Sequence, residues 1–279
     1  AILEEHDFAR ELAAEDVPAV APRSLAHAEP GHPIVLCGDP PTLARWSEGH
    51  TLHRVAVCDR HAGRSPELED PNVLQWLGRF LGRLHAVGAR RRFSCRRTLD
   101  ATTWGHAAKD RLLTGGFIPD TELGTWRRWC DAALARVDRA FAQVGPVTAL
   151  RLHGDFHPGN IMWRDEGPHV VDLDDACNGP AVQDLWMLLS GDATSMRRQL
   201  AHLLSGYRVF RPFDRRELAL VEPLRTLRMI HHSAWIAERW TDPAFPAAFP
   251  WFGSAAYWSQ QATQLREQTE AMDDPPELA

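Results

Sequence analysis

Residues Thr148–Gly191 read TALRLHGDFHPGNIMWRDEGPHVVDLDDACNGPAVQDLWMLLSG, short apolar runs separated by loops rich in Asp, His and Asn. Leu150-Arg151-Leu152 predicts a strand that feeds the loop His153-Gly154-Asp155-Phe156-His157-Pro158-Gly159-Asn160. Ile161-Met162-Trp163 and His169-Val170-Val171 then face each other across Arg164-Asp165-Glu166-Gly167-Pro168, which predicts a β-hairpin. Such a hairpin brings Asn160, at the start of its first strand, close to Asp172, at the tip of its second. Asp155 lies five residues before Asn160, on the loop that enters the hairpin.

That trio fits phosphoryl transfer. The chemistry needs a carboxylate to accept the proton of the attacking hydroxyl, and an amide and a second carboxylate to hold magnesium on the phosphates. On this reading Asp155 is the base, and Asn160 and Asp172 are the metal ligands. The Asp-to-Asn spacing is that of the kinase catalytic loop H-R-D-x-x-x-x-N. A single polar loop capping a hairpin is ordinary turn chemistry. Two such loops, joined by a hairpin and matching in all three residues, favour the catalytic reading.

H-G-D-x-H-x-x-N at 153–160, followed by hydrophobic-D-x-D at 171–174, resembles the aminoglycoside-phosphotransferase branch of the protein-kinase-like fold, the choline-kinase-like superfamily. More narrowly, VDLDDACNGPAVQDLWMLLSGD, Val221-Glu222-Pro223-Leu224-Arg225, and the stretch from Asp242-Pro243-Ala244-Phe245-Pro246 through Phe249-Pro250-Trp251 resemble the stress response kinase A family of bacterial Ser/Thr protein kinases. The resemblance runs from residue 1 to about residue 260, and is tightest over 148–191 and 217–251. It implies an α+β, protein-kinase-like (aminoglycoside phosphotransferase-like) two-lobed fold. Residues 1–66 are expected to be the remnant of a small ATP-binding lobe, and residues 67–279 a large, mainly helical catalytic lobe. The implied activity is transfer of phosphate from ATP, with Mg²⁺, to Ser/Thr hydroxyls of proteins in a bacterial stress response. A monomeric full-length protein is implied as well.

The resemblance also implies roles. Asp155, Asp172 and His157 are the catalytic candidates, with His157 near the γ-phosphate. Asn160 and Asp172 would bind the metal. Glu5, with Glu4 as the alternative, would be the glutamate of the αC helix that pairs with the ATP-binding lysine. Val57 and Asp59 would lie at the hinge, where backbone groups meet adenine. His153 would anchor the catalytic loop, and Asp184 would accept backbone N–H groups from it while opening the next helix.

Composition sets bounds around this reading. A net charge of -6 argues against a general nucleic-acid footprint. Five scattered cysteines without a C-x-x-C favour reduced thiols in a cytoplasmic protein. No apolar run approaches a membrane span, and no signal peptide precedes the first helix. Lys109 is the only lysine. The chain starts with Ala inside the αC-like helix, so the phosphate-covering loop and lysine strand of a complete kinase are expected to be missing from it by N-terminal truncation.

Elsewhere the apolar spacing predicts helices over 2–15, from Asp70-Pro71 to Gly88, and over 104–113, 121–144, 196–210 and 216–238. Residues 33–37 and 53–58 predict strands, with a Pro- and Gly-containing loop over 38–50. The arginine-rich run 89–100 reads as a solvated surface, with docking of an acidic partner as its alternative. His85 reads as a packed helix-end residue, and the aromatic tail as packing on the large lobe.

Other chemistries fit the same residues less well. His153 and His157 have H-x-x-x-H spacing, but Pro158 and Gly159 follow and no Glu lies between them, so the zinc-protease pattern is absent. Val170–Asp175 resembles the motif of phosphatases that form an aspartyl-phosphate, but it is mid-chain and no lysine follows it. Two alternatives stay open: a kinase acting on a small amino sugar or choline-like alcohol, and a catalytically dead binding module.

Overall fold

Alternation of apolar and polar residues is broken in this chain by well-placed caps and turns, and these set the element boundaries. The computed structural model describes residues 1–26 and 33–278. Its elements, in order, are α1 (Ile2–Ala14), β1 (Val35–Gly38), β2 (Pro41–Glu48), β3 (Thr51–Val55), α2 (Pro71–Gly88), α3 (Ala107–Thr114) and α4 (Asp120–Val144). They continue as β4 (Leu150–Leu152), β5 (Ile161–Arg164), β6 (Gly167–Val170), β7 (Cys177–Gly179), α5 (Val182–Trp186), α6 (Ala193–Tyr207), α7 (Val221–Glu238), α8 (Ala244–Ala248) and α9 (Ala255–Asp273). The chain forms two compact units, Ala1–Arg97 with Ala149–Phe213, and Thr98–Thr148 with Asp214–Ala279. The division expected between residues 66 and 67 falls inside the first unit.

The first unit begins with α1, which buries Phe8, Ala9 and Leu12. His6 reaches β2, its Nδ1 2.8 Å from Thr42 Oγ1. β1, β2 and β3 form an antiparallel sheet with β2 central. Residues 38–50, expected as a loop, therefore contain a strand. Their prolines and glycines serve two turns at its ends, with Gly49 at φ 60 supplying the left-handed turn residue before β3. Between the turns, Trp46 stacks on His53 across the strand pair at 4.9 Å.

α2 starts where Asp70 accepts the N–H of Asn72 at 2.8 Å and Pro71 takes the first helical position. It packs on α6 at near-backbone contact. A Cβ at Gly78 would lie 2.0 Å from the Leu203 carbonyl oxygen, and one at Gly206 would lie 1.9 Å from that of Gln75. The predicted hairpin forms as β5 and β6, with Ile161 opposite Val170 and Arg164 opposite Gly167. Val171 N–H donates to the Asn160 carbonyl at 3.1 Å, so the ladder extends to the residue before Asp172. β4 pairs with β7.

In the second unit α4 lays Trp126, Cys130, Ala133, Leu134 and Val137 into the core. Trp126 meets Trp258 of α9 edge to face, and its Nε1 donates to Gln261 at 2.6 Å. A π-helical turn, Ala101–His106, precedes α3 where one continuous helix was expected. Phe252 and Trp258 of the aromatic tail are fully buried, while Trp251 stays exposed. Lys109 pairs with Asp131.

All five cysteines are free. Among the described residues no helix is long and apolar enough to cross a membrane.

The α2–α6 contact can be tested, because a Cβ at Gly78 would meet a backbone oxygen and not a flexible side-chain end. Gly78→Ala gains about 1 kcal/mol of helix propensity but overpacks a backbone contact, at a cost of about 1–3 kcal/mol. We expect lower stability in urea denaturation, and a stabilised variant would contradict the packing described.

Candidate active site

The site is built around a carboxylate that solvent does not reach. Asp184, in the short helix α5, is fully buried. Its Oδ2 accepts the N–H of His153 at 2.9 Å and Nε2 of His85 at 3.0 Å, and its Oδ1 accepts the N–H of Gly154 at 2.9 Å. Asp184 lies inside α5 rather than capping it, because the helix begins two residues earlier at Val182. His85, fully buried on α2, passes the contact on through Nδ1 to the Tyr207 hydroxyl at 3.0 Å. Next to Asp184, Gln183 donates to the Gly154 carbonyl at 2.8 Å.

Residues 153–160 inherit their shape from these bonds. Gly154 has φ 86, and a Cβ there would lie 2.2 Å from the Asp175 carbonyl oxygen. Only glycine fits. His153 Nε2 donates to the Val171 carbonyl at 2.9 Å, which leaves Nδ1 to accept the Asp155 N–H at 3.3 Å. His153 thus couples the loop carrying Asp155 to the strand end carrying Asp172.

Asn160 is buried, and its Nδ2 donates to the Asp155 backbone carbonyl at 3.0 Å, so its Oδ1 is the end of the amide turned from that bond. His157 accepts the Gly159 N–H at Nδ1 and brings Nε2 within 3.5 Å of Asp155 Oδ2. Asp172 is exposed and adopts φ 65, a left-handed conformation that costs a non-glycine residue about 1 kcal/mol or more.

Glu5 of α1 faces the same region. Burial first, and then the charge of Asp174, push its carboxyl up to about 7, while Arg96 opposes the rise. Within this chain it pairs with Arg96, at 3.1 Å. Glu4, the alternative candidate, instead accepts the N–H groups of Ser94 and Cys95 at 2.7 and 2.9 Å.

Val57 and Asp59 lie on a segment pairing with residues 22–23. The Val57 carbonyl accepts the Arg23 N–H at 2.7 Å, and Asp59 pairs with the Arg23 guanidinium at 2.5 Å. Between them, the Cys58 thiol has its pKa raised, by partial desolvation first and then by the charge of Glu5.

The structure therefore brings Asp155, Asn160, His153, His157 and Asp172 to one end of the hairpin, with Glu5 facing Asp172 and Asp174. Sequence reasoning underrated His85 and missed Gln183 and Arg96. The arginine-rich run is not a solvated surface throughout. Arg90 pairs with Glu15, Arg91 with Glu11, and the largely buried Arg96 with Glu5. The acidic stripe Glu4, Glu5, Glu11 and Glu15 at helical spacing was the available signal.

A fold with a buried carboxylate organising an Asp-x-x-x-x-Asn loop beside a hairpin aspartate has relatives. Residues 1–221 match the profile of the phosphotransferase enzyme family, and the chain belongs to that family. Within it the chain groups with stress response kinase A. It is 38% identical over 275 residues to the protein of that name from Escherichia coli strain K12, covering 99% of this chain and 78% of that one. The identity and coverage are the same for the protein named "Serine/threonine protein kinase RdoA" from Salmonella typhimurium.

Among solved structures, an amicoumacin kinase crystallised with AMP-PNP, Ca²⁺ and its ligand superposes with a TM-score of 0.66 at 18% identity, over 99% of this chain and 78% of that one. A microcompartment-associated aminopropanol kinase gives 0.65 at 17%, over 100% and 83%. The fold is thus the α+β kinase-like fold expected from the sequence, and the protein is a phosphotransferase.

Asp184→Ala should be severely destabilising. It leaves three donors without their acceptor, each about 1–3 kcal/mol when buried and unpaired. We expect a loss of about 3 kcal/mol or more in denaturant unfolding. A loss near zero would show that the 153–154 turn does not depend on this carboxylate.

Proposed function

We propose that the protein transfers the γ-phosphoryl group of ATP, with magnesium, to Ser/Thr hydroxyls of other proteins. The observation that carries this reading is the meeting of Asp155, Asn160 and Asp172 at the base of one hairpin, on a loop shaped by a buried carboxylate. The protein acceptor is supported by the name of the Salmonella relative, a serine/threonine protein kinase. The likeness to small-molecule kinases is a likeness of fold alone. A stress-related role and a cytoplasmic location belong to the same proposal.

The donor set fits a hard divalent cation. Asn160 offers an amide oxygen, its nitrogen being engaged by the Asp155 carbonyl, and Asp172 an exposed carboxylate. Oxygen donors with one or two carboxylates suit magnesium, which keeps water and phosphate in its remaining positions. When bound, the ion would neutralise charge on the transferring phosphates.

Asp155 would accept the proton of the attacking hydroxyl, its loop fixed by His153 and Asp184 before substrate arrives. His157, 3.5 Å from the Asp155 carboxylate, would orient it and add positive character beside the phosphates when protonated. Glu5 would hold the αC-like helix in register with the site, and the 57–59 segment would meet the adenine through backbone groups. The functional division is a nucleotide lobe from residues 1–66 and a catalytic lobe from 67–279.

Asp155→Asn should lower the rate of phosphoryl transfer on the order of 10²–10⁴-fold while nucleotide binding survives, as measured by ³²P transfer alongside binding of a fluorescent ATP analogue. Near-normal turnover would remove Asp155 from the base role.

Asn160→Ala and Asp172→Ala separate metal from base. Both should raise the Mg²⁺ concentration that half-saturates nucleotide binding, Asp172→Ala the more because a carboxylate contributes charge to a hard cation. Metal titrations identical to wild type would refute the ligand assignment.

A further inference from the structure

Arg96 stands out among the described arginines for where its bonds go. Its side chain is 10% exposed, against 49% and 59% for Arg90 and Arg91 of the same run. Nε donates to the Ala176 carbonyl at 2.5 Å. One terminal nitrogen, Nη2, donates to the Asp174 carbonyl and, at 3.4 Å, to that of Leu173. The other, Nη1, donates to Glu5 Oε2 at 3.1 Å and to the Ala1 carbonyl at 3.4 Å. One planar group thus joins the first turn of α1 to three backbone oxygens of the segment that follows Asp172.

The loop holding Arg96 is itself fixed on two sides. On one side the Asn178 side chain of β7 accepts the Phe93 N–H at 2.9 Å and donates to the Phe93 carbonyl at 3.0 Å, and the Asn178 N–H donates to the Arg97 carbonyl. On the other side the Glu4 carboxylate takes the N–H groups of Ser94 and Cys95. Phe93 packs edge to face on Phe8 of α1 and lies 5.8 Å under the guanidinium.

The residues tied by Arg96 are those that follow Asp172 in its left-handed turn. The carboxylates of Asp172 and Asp174 take no part in these bonds, so the tie fixes their backbone and leaves both acids to the site. A lysine cannot replace it, because an ammonium has no planar fork to span carbonyls at 173, 174 and 176 while reaching Glu5.

We propose that Arg96 is a positioning residue, which sets the Asp172–Ala176 segment against α1 and thereby presents the Asp172 carboxylate to the metal. This rests on the function proposed above for Asp172, although the tie itself can be tested without any ligand.

The test uses the full chain, with Arg96→Gln and Arg96→Lys as paired variants. The first readout is amide hydrogen exchange without ligand. Both variants should speed exchange across 172–177 by about tenfold or more, while α2 and α6 exchange as in wild type. The second readout is the Mg²⁺ dependence of fluorescent ATP-analogue binding. Half-saturation should rise about 10–100-fold, the range typical of lost groups behind a metal ligand, and Arg96→Lys should not restore it.

Unchanged exchange at 172–177 would overturn the tie. Faster exchange with an unchanged Mg²⁺ midpoint, or full rescue by lysine, would overturn the positioning role. If the wild-type chain bound no nucleotide with Mg²⁺, the proposed function would fall, and the exchange measurement would still decide whether Arg96 holds the segment. Should Arg96→Gln fail to fold, Arg96→Lys keeps the charge and carries both readouts.

Discussion

A charge buried beyond the reach of water is tolerated only when its neighbours replace the lost hydration, and Asp184 meets that condition with backbone. It accepts the N–H groups of His153 and Gly154, and His85 fills its remaining approach. The two amides are consecutive, so their direction fixes how the chain turns out of β4. The turn then fixes where Asp155 begins. Gly154 permits it by having no side chain to strike the Asp175 carbonyl. The same close approach sets the 153–155 turn against the 172–176 segment, so both loops of the site share one wall.

The parts of this arrangement that are local in sequence were legible in it. The hairpin could be read with its partners because strand alternation and turn residues leave little freedom of register. Once that register is set, Asn160 and Asp172 must lie together. The strand over 41–48 was hidden because its flanking turns carry the prolines and glycines that ordinarily mark a loop. Asp184 could be assigned a purpose only through resemblance. Its partner His85 is 99 residues away, and no periodicity connects them.

Arg96 illustrates the same limit in another way. Arginines crowd residues 90–97, and composition cannot say which one faces inward. Helix α1 decides it. Its glutamates Glu4, Glu5 and Glu11, with Glu15 just past its end, each meet a different part of the 90–96 loop. Glu11 shows the balance of forces. Burial alone would raise its carboxyl, yet hydrogen bonds from Arg151 and Arg91 outweigh that and hold it below the usual range. Complementary stripes of this kind are visible in hindsight because charge pairing needs both partners placed.

Two ties of the same kind therefore bracket the candidate site. Asp184 offers one carboxylate to the amides that precede Asp155, and Arg96 offers one guanidinium to the carbonyls that follow Asp172. Each makes most of its bonds to backbone, with His85 and Glu5 as the side-chain partners, and the carboxylates of Asp155 and Asp172 take no part in either tie. Opposite charges suit opposite ends of the peptide unit: an anion gathers N–H groups, and a cation gathers C=O groups. The ties also differ in reach. Asp184 binds a loop to the core through α2, whereas Arg96 binds a loop to α1. Any displacement of α1 is then passed through Arg96 to the backbone behind Asp172, so that one guanidinium ties the first helix to the turn carrying Asp172.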